Sequence, residues 1–308
     1  MHRSRRWRAG VVAVAATLML GGTAGRSPAR VVGTPGPIDR PPGEVSATGE
    51  TSAALRGVPC SLTPVPTAEE PAPVGPGPCP GIRPGGRVVT TIGDCTLNFL
   101  FRAPDGTRYI GTAGHCVDAG PEYTFDNQGN ARFERVWARG TGPVAMDPAG
   151  RRFGEFAYVV KYDPKDFALI RLDPAAPASP EMCHFGAPHG FYSTDTMRPL
   201  SLRYYGNGQG IGDVTPARSA MALGTPNPDH LYAAGLAVPG DSGAGVMTAD
   251  GLAVGVLVTT GYQLRDAGEP PGSTEGLDVG TMGITRLEPQ LARASEKLGM
   301  TLELDTAR

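Results

Sequence analysis

The sequence predicts an all-β protein, a barrel or sandwich, and three observations predict it. Short runs of Val, Ile, Leu, Thr and Tyr recur from Gly85 onward, glycine and proline punctuate them, and a helical period appears only near the C-terminus. β-Branched and aromatic side chains fit a pleated, half-buried surface, and many short strands without intervening helices argue against an α/β architecture.

Taken in chain order, the first 24 residues place Arg3, Arg5, Arg6 and Arg8 ahead of an apolar run from Val11 to Leu20 and then the small residues Gly21, Gly22 and Ala24. A basic start, a short apolar stretch and a small-residue end read as a secretory signal peptide, and the run is too short to span a bilayer. Residues 25–84 follow as a linker or propeptide. Of the 31 prolines in the chain, 14 lie between Pro28 and Pro84, interleaved with Gly, Ser, Thr and Ala. That composition offers too little apolar surface to offset chain entropy. Residues 85–308 remain for the folded part, enough for one well-buried unit or two small packed barrels.

Strands are expected over 87–92, 95–101, 108–112, 156–160, 167–172 and 253–259, with Pro104-Asp105-Gly106 supplying hairpin chemistry between two of them. Near the C-terminus Leu287, Leu291 and Leu298 share one helical face, with Pro289 near the start and Gly299 near the end. A helix there most simply packs on the second barrel. The whole chain carries 28 basic and 30 acidic side chains. The leader takes four arginines and no acid with it, so the remainder is more acidic still and its overall field attracts neither nucleic acid nor anionic lipid. No membrane association is expected after signal cleavage.

Three stretches carry chemistry: Thr112-Ala113-Gly114-His115-Cys116, Lys165-Asp166-Phe167-Ala168-Leu169-Ile170 and Gly240-Asp241-Ser242-Gly243. A serine hydroxyl is a poor nucleophile at neutral pH, so it needs an imidazole to take its proton and a carboxylate to orient that imidazole. The order His, Asp, Ser differs from that of α/β-hydrolases and of subtilisins. Glycines around Ser242 allow a sharp turn that aims the N–H groups of Gly240 and Ser242 at one spot, an oxyanion hole. Cys95 and Cys116 flank one hairpin, and a bridge between them would tie its strands beside His115. His184 and His189, near Glu181 and Cys183, lack a zinc-ligand spacing and read as a loop cluster; no metal or other cofactor is expected.

The three blocks resemble the signatures of the chymotrypsin/trypsin-like serine peptidases, in the compact form of their secreted bacterial members. The resemblance spans roughly residues 85–300. It implies two packed six-stranded antiparallel β-barrels with a C-terminal α-helix, and a cleft between the barrels. It makes His115 the general base, Asp166 its orienting partner and Ser242 the nucleophile that forms an acyl-enzyme. It places Leu236, six residues before the serine, at the primary specificity pocket with Val258 and Thr260 nearby. Leu236 is not the aspartate that goes with cleavage after Lys or Arg, so a pocket for small or medium apolar side chains is expected.

The resemblance also shows departures. Ala244 stands where the family most often has glycine. Arg30-Val31-Val32-Gly33 resembles an activation site but lies too far before His115, so Asp241 is expected to pair with an internal arginine. Among Cys60, Cys79 and Cys183, three pairings stay open. The expectation is a secreted, monomeric serine endopeptidase acting on protein or peptide substrates. The alternative is a catalytically inactive binding or structural protein on the same fold. A lipase or esterase of the α/β-hydrolase class would need Gly-x-Ser-x-Gly and alternating helices, and the chain has neither.

Overall fold

The computed structural model describes residues 79–118, 120, 124–125, 131–162, 164–193, 200–209, 214–261 and 280–306. The expected signal peptide, nearly all of the linker and Cys60 lie outside them. Nine strands open the fold: β1 (Arg87–Thr90), β2 (Gly93–Thr96), β3 (Leu100–Arg102), β4 (Arg108–Thr112), β5 (Thr124–Phe125), β6 (Ala131–Val136), β7 (Val144–Met146), β8 (Arg152–Tyr162) and β9 (Lys165–Leu172). They pair in the order β3-β4-β9-β8-β7-β1-β2, with β6 also on β8 and β5 on β6. This sheet curls into a half-barrel.

β9 is buried on both faces after Lys165, as its unbroken Phe-Ala-Leu-Ile run requires. Phe101 and Phe167 meet edge to face inside the curl, ring centroids 6.3 Å apart. Burial of each such side chain stabilises the fold by about 2–3 kcal/mol. The expected hairpin forms between β3 and β4, where Gly106 takes φ 82° and Asp105 Oδ1 accepts the Thr107 N–H at 2.9 Å.

One expected strand is corrected. The run 95–101 is interrupted at Leu97–Phe99 and divided between β2 and β3. The chain changes partner there: Leu97 donates its N–H to Gly86 at 2.7 Å and Asn98 donates its N–H to Gly111 at 2.8 Å, while Asn98 Oδ1 accepts the N–H of Phe99 at 2.7 Å.

The second sheet holds β10 (Gly190–Phe191), β11 (Ser201–Tyr205), β12 (Ala217–Asn227), β13 (His230–Gly235), β14 (Gly245–Thr248), β15 (Leu252–Gly261) and β16 (Thr281–Arg286). Its order is β10-β15-β14-β11-β12-β13-β16, and β16 pairs again with β15. That last pairing closes six strands into a barrel and removes their free edges. Leu202, Tyr204, Leu231, Val246, Leu257 and Ile284 fill it.

Helix α1 (Leu287–Leu298) ends at Gly299, which is left-handed at φ 67° and donates its N–H to Glu296. Here too the expectation needs amending, because the helix serves both barrels. Leu287, Leu291 and Ala294 join the core that contains the first-barrel aromatics. Arg293 pairs with Glu134 of β6 at 2.6 Å, while Gln290 donates to Asp229 beside β13 at 2.8 Å. The chain then adds β17 (Glu303–Leu304) to the edge of β3.

Two disulfides are present, Cys79–Cys183 and Cys95–Cys116. The first selects one of the three pairings the sequence left open.

Candidate active site

Where β4 ends, the chain enters a short 3₁₀ turn over Gly114–Cys116 that carries His115. Only glycine fits before it, since a Cβ on Gly114 would lie 2.1 Å from the Val160 carbonyl oxygen. Cys116 is tied to Cys95 of β2, which fixes the far side of the turn. The His115 side chain, 31% exposed, is the accessible member of its pair, and Asp166 near the start of β9 is the buried one, 8% exposed.

Asp166 uses both oxygens on His115. Oδ1 accepts the His115 backbone N–H at 2.8 Å, and Oδ2 stands 2.8 Å from Nδ1. The imidazole is thereby fixed in the orientation that leaves Nε2 free. The Lys161 ammonium of β8 lies 3.7 Å from the same Oδ2. Burial raises the Asp166 pKa most strongly, but the charge and hydrogen bonds of His115 and the charge of Lys161 together hold it below the usual carboxylate value. The group is a carboxylate at neutral pH.

Gly240-Asp241-Ser242-Gly243 forms the turn between β13 and β14, with φ of 97° at Gly240 and 91° at Gly243. The first barrel receives this turn directly. Thr96 donates its N–H to the Ser242 carbonyl at 2.8 Å and its hydroxyl to the Gly240 carbonyl at 2.8 Å. A Cβ on Gly243 would stand 2.2 Å from Thr112 Oγ1 and 2.9 Å from the Ala113 nitrogen. Ser242 is thus packed against the segment that leads into His115. Among the described residues, the N–H groups of Gly240 and Ser242 have no intramolecular acceptor and the Ser242 hydroxyl makes no hydrogen bond to His115. Such bonds are often long in unliganded sites.

Asp241, fully buried, is the anchor of the turn. Arg218 of β12 grips it with both terminal nitrogens, one of them at 2.6 Å from Oδ2. The N–H groups of Gly208 and Val238 each donate to it at 2.8 Å. Arg218 also stacks over the Tyr204 ring at 4.9 Å and donates to the Leu236 carbonyl at 3.1 Å. This is the internal arginine that the sequence implied without identifying. Ala244 buries its methyl in the second-barrel core.

The residues expected at a specificity pocket differ in exposure. Leu236 is 46% exposed, Val258 is buried in the larger core, and the backbone of Thr260 pairs with Met282. Between the latter two, Thr259 faces Gly283, where a Cβ would lie 2.2 Å from Thr259 Oγ1 and 2.7 Å from Nε2 of His230. His230 stands in no motif of the sequence. It is fully buried at the start of β13, next to Asp229, whose Oδ2 pairs with Lys165 at 2.5 Å across the barrels.

Burial pushes the His230 pKa down to about 4, against the weaker pull of the Asp166 charge, the Pro164 carbonyl and the Asp229 charge. An unfolded histidine titrates near 6.5, so its contribution to stability is complete above about pH 6.5 and is lost as pH falls toward 4. Urea unfolding at pH 7 and pH 4 should therefore show His230→Leu losing about 3 kcal/mol less than the unsubstituted protein across that interval. Equal losses in the two proteins would show that His230 is not held neutral.

A closed six-stranded barrel and a curled half-barrel meet where the Gly240–Gly243 turn seats against Thr96 and Thr112, and a C-terminal helix packs on both. The fold is the chymotrypsin-like double barrel. Neither a protein-family model nor a curated protein sequence matches the chain. Among solved structures, it is similar to protease A of Thermobifida fusca at 18% identity and a TM-score of 0.47, covering 73% of this chain and 98% of that one. Nocardiopsis protease gives 18% identity and 0.46, with 73% and 99% covered. Cellulomonas bogoriensis chymotrypsin gives 18% and 0.45, with 73% and 98% covered. These neighbours are chymotrypsin-like bacterial serine proteases. The architecture of the double barrel itself rests on the strand pairing above.

Proposed function

We propose that the chain is a secreted serine endopeptidase that hydrolyses peptide bonds through His115, Asp166 and Ser242. The two-point grip of Asp166 on His115 carries this reading. It orients the imidazole through Nδ1 and leaves Nε2 without an intramolecular partner, as a general base requires. In the first step Ser242 Oγ attacks the scissile carbonyl and His115 Nε2 takes its proton. Charge developing on the carbonyl oxygen is met by the unpaired N–H groups of Gly240 and Ser242, each such donor supporting about 2.7–4 kcal/mol of transition-state stabilisation. As the C–N bond breaks, His115 returns the proton to the leaving amine. Water then releases the acyl group from Ser242 by the same route in reverse.

The Asp241–Arg218 pair supports an active site that forms without a freed N-terminal amine, since that carboxylate already has four hydrogen-bond donors from three residues. Two disulfides suit an oxidising compartment, in line with export by residues 1–24. Among the described residues no helix is long and apolar enough to cross a membrane.

The alternative is an inactive binding or structural protein on this fold, and one experiment separates the two. An organophosphonate probe is expected to label Ser242, located by mass spectrometry, and His115→Ala should abolish the labelling. A folded protein that is not labelled would overturn the peptidase reading.

A further inference from the structure

The triad reading gives Lys161 no part, yet this lysine shares the carboxylate on which the reading depends. Its Nζ lies 3.7 Å from Asp166 Oδ2, the oxygen that stands 2.8 Å from His115 Nδ1. The approach is built into the sheet, because Lys161 of β8 and Asp166 of β9 are paired directly across an antiparallel ladder. The lysine side chain is only 21% exposed, so water screens its charge incompletely. Among the described residues Asp166 is its ion-pair partner.

Other charged or titratable groups surround the same carboxylate. His115 approaches from the 3₁₀ turn and buried His230 from β13. Lys165, the neighbour of Asp166 on β9, is turned to Asp229 at 2.5 Å and neutralised there. Lys161 is therefore the cation left to act on the His115–Asp166 pair.

We propose that Lys161 is a positioning residue that tunes this pair, an inference that rests on the triad reading. Its ammonium shares Oδ2 with the imidazole, keeps Asp166 ionised, and opposes a second positive charge on His115. Proton loss from the imidazolium is then favoured, which extends the working range of the base to lower pH.

Two fixed charges on either side of one oxygen, partly screened, predict a midpoint displacement of about one pH unit when one of them is removed. The test compares the unsubstituted protein with Lys161→Met, Lys161→Gln and Lys161→Arg. The His115 imidazole is titrated by NMR, its resonance identified with His115→Ala, and the rate of organophosphonate labelling is followed against pH.

In Lys161→Met and Lys161→Gln, both the NMR midpoint and the acid limb of labelling should move up by about one pH unit, with Lys161→Arg unchanged. A purely structural role would slow labelling at every pH and leave the midpoint in place. An unmoved NMR midpoint in folded Lys161→Met or Lys161→Gln overturns the proposal. A moved midpoint in proteins that the probe never labels would sustain the charge coupling and overturn the peptidase reading instead.

Discussion

Peptide hydrolysis by Ser242→Ala is expected to fall by about 10⁶-fold, and combining it with His115→Ala should lower the rate no further. The reason is geometric. Asp166 orients His115, and in the proposed mechanism His115 serves only to move a proton to and from Ser242 Oγ, so once the hydroxyl is gone the imidazole has nothing to activate. A small residual rate over water should survive in both variants, because the unpaired N–H groups of Gly240 and residue 242 belong to the backbone. Stability should hardly change, since no hydrogen bond of the serine hydroxyl is found among the described residues. Steady-state assays on a peptide-ester mixture, with thermal melts alongside, check this. Additive losses in the double variant would mean that the two side chains act separately.

The second large effect falls on stability. Arg218→Met should cost about 3–5 kcal/mol, because it leaves a fully buried Asp241 carboxylate with two backbone donors and no counter-charge. The loss should reach function as well, for Asp241 sits between the two residues whose N–H groups form the proposed oxyanion hole. Adding Asp241→Asn to Arg218→Met should recover part of the stability by removing the stranded charge. Urea unfolding of the single and double variants measures both quantities. A cost under about 1 kcal/mol for Arg218→Met would place this pair with ordinary surface ion pairs.

These two side chains also mark what a linear reading can and cannot reach. Ser242 could be singled out because two glycines, Gly240 and Gly243, bracket its turn, and His115 and Asp166 because each adjoins its own short motif. Arg218 was not, since its role depends on strand register that brings together residues 23 apart. The expectation of some arginine followed from the cost of a buried acid, but not its position. Lys161 was within reach: the short span to Asp166 across one hairpin places them opposite each other once both strands are assigned. His230 carried no sequence signal, because only closure of the second barrel buries it.

The same contrast holds for the fold. β9 was visible because Phe167, Leu169 and Ile170 are apolar on both faces, whereas β12, with its Ser, Thr, Gly and Pro residues, hides its period and was missed. A barrel strand of that kind is specified by its neighbours on either side more than by its own composition.

The Cys79–Cys183 bridge spans a sequence separation of 104, and every strand of the first sheet except β17 lies between its ends. A peptidase at work is surrounded by hydrolytic activity, its own included. A single cut in any connection of that covalent ring opens the ring without dividing it, so the fragments stay one molecule. Two routes join Asp166 to Cys183, and through it to the barrel that carries Ser242, the direct peptide chain and the path back through the sulfur bridge, and one nick within the ring severs only one of them.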